Sequence, residues 1–120
     1  MTRARETSEN ARQAKAWVNF DGTFATSPFT EANGGIRDSF NVTSVTDRGT
    51  GRYTVNLTNA MASTNYSVSA MCGNGDGVDI SATTSVANET VLTSSTFGIR
   101  VSQNDAAINK VFVSLIFFGD

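Results

Sequence analysis

Residues 45–58 read VTDRGTGRYTVNLT, and two readings of Gly49 and Gly51 compete: a phosphate cradle or a chain reversal. A Walker-type phosphate loop needs a following Gly-Lys-Ser/Thr and a helix, whose N-terminal amides and dipole hold the anion. Here Arg52 opens a different pattern, in which Tyr53, Val55 and Leu57 alternate with Thr54, Asn56 and Thr58. That period of two belongs to a half-buried strand, so the glycines serve a hairpin by taking positive φ without steric cost. The stretch therefore predicts a strand, a tight turn and a second strand.

The same pattern recurs on both sides. Upstream, IRDSFNVTSV (36–45) reads as the first strand of the hairpin, with Ile36, Phe40 and Val42 as its apolar positions. Trp17 to Phe20 form another alternating run that stops at the turn signal Asp21-Gly22. Residues 23–35 read as a loop around Pro28, with Phe24 and Phe29 folding back onto the body. Downstream, Tyr66, Val68 and Ala70 are in phase, and GVDISATTSV (77–86) reads as their partner strand across the glycine-rich CGNGDG. Phe97, Ile99 and Val101 follow, and NDAAIN breaks the run. The last strand is apolar on both faces, with Val111, Val113, Leu115 and Phe117 on one and Phe112, Ile116 and Phe118 on the other. Such a strand is normally central and covered on both sides, and one of the covering layers is expected to be a neighbouring subunit. About seven short strands without a second helix predict an all-β fold, an antiparallel β-sandwich of jelly-roll-like type over residues 16–120. Residues 1–15 read as a short helical or extended arm, with capping chemistry at Thr7 to Asn10 and helix formers in ARQAKA.

Composition limits the chemistry. The 120 residues are one domain's worth, and only 17% are charged, against roughly 25% in typical soluble domains. Ser, Thr, Asn and Gly take their place, as suits β-sheets and surfaces packed against identical copies. There is no histidine, which removes Ser-His-Asp and Cys-His catalysis and the commonest zinc ligand. Cys72 is the single cysteine, so no intramolecular disulfide forms, and it reads as a small buried hydrophobe. Asn74, Asp76 and Asp79 offer oxygen ligands, but an EF-hand register would place Cys72 first and Thr83 twelfth, so a polar hairpin turn is the better account. No metal or cofactor is expected. The net charge of −2 argues against binding nucleic acid through phosphates, and no apolar run approaches a membrane span. Charge is uneven: Arg3, Arg5, Arg12 and Lys15 against Glu6 and Glu9 make the first fifteen residues basic on an acidic body. Those four cations are the candidate anchoring contacts of the arm.

The segments AKAWVNFDGT, IRDSFNVTSVTDRGTGRYTVNLTNAM and NYSV resemble the C-terminal module of tail fibres and related structural proteins of tailed bacteriophages. The resemblance covers about Ala14 to Ser69, and it implies a non-enzymatic virion component, usually trimeric, displayed at the distal end of a fibre. That module normally follows a long shaft, whereas here only a short arm precedes it. A separate small virion protein held by the arm, or a truncated form, is therefore expected. The partners implied are two further copies, other virion proteins of tail or capsid, and a host surface glycan. Trp17, Val113, Leu115 and Phe117 are the expected core or oligomer contacts, and Phe29, Asn74, Asp76 and Asn104 mark loops expected to face a receptor. The alternatives are a capsid decoration protein or head fibre and, from a different class, a carbohydrate-active enzyme using paired carboxylates.

Overall fold

The computed structural model describes residues 13–74, 77–78, 82–86, 92–104 and 106–119. Among the described residues ten strands follow in order: Ala14–Phe20 (β1), Ile36–Phe40 (β2), Val42–Gly49 (β3), Arg52–Leu57 (β4), Ser67–Asn74 (β5), Gly77–Val78 (β6), Ala82–Val86 (β7), Thr96–Gln103 (β8), Ala106–Ala107 (β9) and Phe112–Phe118 (β10). They form two antiparallel sheets packed as a sandwich. The first has the order β2-β1-β10-β5-β6; the second has β3-β4-β8-β7, with β9 paired to β8. The all-β sandwich expected from the alternating patterns is the fold observed.

The core lies where period two places it. Val18 and Phe20 of β1, Tyr53, Val55 and Leu57 of β4, Phe97, Ile99 and Val101 of β8, and Val113, Leu115 and Phe117 of β10 all point between the sheets and are buried. Two aromatic clusters close the ends. Phe20, Phe29 and Tyr53 meet at one end with centroids 5.2–6.0 Å apart. Tyr66, Phe97 and Phe117 meet at the other, 5.7–6.4 Å apart. Edge and tilted contacts of this kind add to the area that the rings bury. Cys72 is buried and reduced within the same core.

Two segments that read as single strands are in fact divided between the sheets. IRDSFNVTSV breaks at Asn41, which has φ 59; β2 before it belongs to the first sheet and β3 after it to the second. Asn tolerates the left-handed region better than most residues, and here its side chain is saturated. Asn41 Nδ2 donates to the carbonyls of Lys15 and Asn59 at 3.1 Å each, and its Oδ1 accepts from the Asn59 amide at 2.7 Å. Likewise GVDISATTSV places Gly77–Val78 in the first sheet and Ala82–Val86 in the second. Either side of the Asn41 corner Ile36 and Val42 are buried, whereas Phe40 just before it is 54% exposed, so the apolar positions that read as one face are divided between the inside and the outside.

The N-terminal boundary also moves. Ala14 and Lys15, expected in the arm, are already strand, because β1 pairs with β10 from Ala14↔Phe118 to Phe20↔Val113. Ladder pairing there overrides the helix propensity of ARQAKA. The helical reading of residues 1–12 lies outside the described residues.

Asn41→Ala removes three hydrogen bonds and leaves a β-carbon at positive φ. Its unfolding free energy is expected to fall by roughly 2–4 kcal/mol, measured by chemical denaturation with an unchanged m-value.

Candidate functional site

The strand registers give the sandwich two distinct ends. β1 enters at Ala14 opposite Phe118, itself opposite Ser67, so the N-terminal approach, the close of β10 and the start of β5 share one end. At the far end lie Phe20 and Asp21, the β3–β4 turn, the β5–β6 connection after Asn74, and the β8–β9 turn at Asn104. Seven residues of β1 separate the two ends, about 23 Å at the usual strand rise.

The far end is built from backbone. Gly22 N donates to Lys110 O at 2.9 Å, and Val101 N donates to Gly51 O at 2.7 Å. Tyr53, fully buried, places its hydroxyl 2.7 Å from Gly22 O and 2.8 Å from Asn109 Oδ1. The same Oδ1 accepts the Gly51 amide at 2.8 Å. Gly51, at φ +69, has no room for a β-carbon, which would overlap Val101 O and approach Ile108 N to 2.8 Å. The Gly49 amide donates to Asp47 Oδ1 at 2.9 Å. Both glycine amides that a phosphate loop would direct outward are thus committed internally. What remains outward on this turn is Arg48, Gly49, Thr50 and Arg52, all exposed.

The residues expected to face a receptor separate here. Asn104 sits exposed at φ 53 on the far-end turn. Asn74 ends β5 at the same end, paired by backbone to Gly77; its side chain and Asp76 lie outside the described residues. Phe29 does not face outward: it is fully buried against Phe20, Phe24 and Tyr53. Its backbone exchanges two hydrogen bonds with Val45, at 2.8 and 3.0 Å, so the Pro28 loop covers the free edge of β3. Such cover protects an edge from strand addition. Asn33 holds the loop in shape, donating to Pro28 O and accepting from the Thr30 and Gly35 amides at 2.9–3.0 Å. The sequence signal for this role is the pair of phenylalanines in a polar loop, too apolar for a solvent-facing tip.

The four residues expected as core or contact also divide. Val113, Leu115 and Phe117 are inner-face core, whereas Trp17 alternates outward on β1 and is half-buried. Of the expected anchoring cations, Lys15 stands on β1, and Arg3, Arg5 and Arg12 lie outside the described residues. Among the described residues no three His, Cys, Asp or Glu side chains gather as a metal site. No helix there is long and apolar enough to cross a membrane.

No family model, curated protein or solved structure matches this chain.

Burial, and then the carboxylates of Asp47 and Asp21, hold the Tyr53 phenol well above its ordinary value of 10.0; burial also raises Tyr66. The folded chain therefore keeps protons that the unfolded chain releases near pH 10. Stability is full below that pH and falls as pH rises above it. Tyr53→Phe is expected to cost about 1–2 kcal/mol near neutrality, by leaving Gly22 O and Asn109 without the hydroxyl. Its denaturation midpoint should also decline less steeply than that of the wild type between about pH 9 and 11.

Proposed function

We propose that this chain is a non-enzymatic structural module of a tailed-bacteriophage virion, a homotrimeric tail-fibre or tip component that attaches to the host surface. The observation that carries the reading is the separation of the two ends. The N-terminal approach, basic in sequence, enters at one end of the sandwich, and the turns at Thr50 and Asn104 lie at the other. A module anchored at its base and exposing short polar turns at its tip suits contact with hydroxyl-rich surface sugars. The resemblance supports it as well: Trp-Val-Asn-Phe lies in β1, and Gly-Thr-Gly-x-Tyr-Thr-Val-Asn spans the β3–β4 turn and most of β4.

Electron microscopy of particles labelled against this chain is expected to place it at the distal tail. Label on the head would favour the alternative, a capsid decoration protein or head fibre. Purified chain is expected to compete with particles for adsorption to host cells. Thr50→Arg, at an exposed turn position, is expected to weaken that competition at least about tenfold with unchanged thermal stability. Competition unaffected by tip substitutions would remove the attachment role, and release of sugars from host polysaccharide would favour the enzyme reading.

A further inference from the structure

The two sheets present opposite outer faces. The second is polar: Asn56 Nδ2 donates to Ser44 Oγ and Thr46 Oγ1 at 3.1 and 3.0 Å, beside Thr54, Arg52 and Arg100. The first carries a row of large apolar side chains. Phe40 of β2 is in register with Trp17 of β1, and Trp17 with Ile116 of β10. Phe112 and Phe118 share the outer side of β10, and Met71 of β5 stands opposite Ser114. Phe40 and Met71 are each 54% exposed; the other four are half-buried.

β10 is the middle strand of this sheet, and its outer side is left uncovered by the described chain. Water on such a strand is costly, and the six side chains leave an apolar area on the order of 400 Å². The largest apolar patch on a monomer is commonly about 300–600 Å² and often functional, so this face is the first place to seek a contact. A standard interface buries about 800 Å² per partner, a little over half of it apolar, so this patch is the right size for the core of one such contact.

We infer that the outer face of the β2-β1-β10-β5 layer is the contact between copies of this chain, centred on Phe40, Trp17, Ile116 and Met71. This specifies the surface of the proposed homotrimer and rests on that part of the reading. The segment before β1 is a poor occupant: residues 1–12 carry three arginines, two glutamates and one large apolar side chain, Met1. A second copy brings what the patch lacks, an equal apolar area. Its bordering charges, Lys15, Arg37 and Asp38, are mixed in sign, and Arg37 is held by Asn19 Oδ1 and Val111 O at 3.2 and 2.7 Å. Copies that turn this face toward a common three-fold axis therefore meet no single-sign barrier.

Sedimentation of the purified 120-residue chain tests this. Wild type is expected to sediment as an oligomer at micromolar concentration. Phe40→Asp and Met71→Asp, both at exposed positions where the core is untouched, are expected to weaken association by at least about 30-fold, the scale of a hot-spot loss. Leu92→Asp serves as control, because Leu92 is 43% exposed but lies in the connection before β8, a strand of the second sheet. Circular dichroism is expected to stay unchanged in all three. A monomeric wild type overturns the inference, as does an oligomer that survives both face substitutions or is lost equally in the control. Since the measurement needs no particle, an oligomer absent from the tail would defeat the attachment reading alone. A monomer found at the tail tip would defeat only the contact.

Discussion

The hydroxyl of Tyr53 is the tie on which the far end of the sandwich depends. Its ring lies in the core between Phe20 of one sheet and Phe29 of the covering loop, and its oxygen reaches the backbone of Gly22 and the side chain of Asn109. One residue thereby joins the second sheet, the loop after β1 and the segment before β10. A buried phenol without partners would cost about 1–3 kcal/mol, so the positions of the three segments around it support one another. Glycines 22 and 51 make the approach possible, since a β-carbon at either would occupy space already filled by backbone.

Around that tie the covalent path is less regular than the packing. The chain crosses between sheets at Asn41 within a single residue, and it ends in β10 between β1 and β5, two strands far earlier in sequence. Most of the stabilising contacts therefore join distant parts of the chain, which makes the last strand the closing element of the first sheet. Phe117, fully buried beside Phe97 and Tyr66, fastens it from within. The outer side of the same strand has the opposite status, apolar yet open in one copy. A strand with two apolar faces in a two-layer fold leaves one face to be covered from outside.

The proposed roles follow this division. The inner face and the two aromatic clusters make a rigid body, the Pro28 loop covers an edge, and the turns at Thr50 and Asn104 are left to meet a partner. The outer face of the first sheet is the surface proposed for contact between copies. An attachment module needs both properties: rigidity so that short turns are presented in a fixed arrangement, and assembly so that weak contacts are multiplied.

The sequence by itself determined the alternation. Tyr53, Val55 and Leu57, or Phe97, Ile99 and Val101, declare a face because side chains in a strand point to opposite sides at every step. It also established that Gly49 and Gly51 turn the chain, since a strand follows them rather than a helix. It did not reveal that Asn41 changes sheets, because Ile36, Phe40 and Val42 read as one apolar face whether Phe40 points inward or, as observed, outward. Nor did it separate Trp17 from Val113, Leu115 and Phe117, and it left Phe29 with two readings, one folding back onto the body, as observed, and one facing a receptor. Which of two apolar faces lies inside depends on the opposing sheet, and whether a loop phenylalanine is buried depends on the edge that it covers. Those are properties of contacts between residues far apart in the chain, and only the tertiary structure decided them.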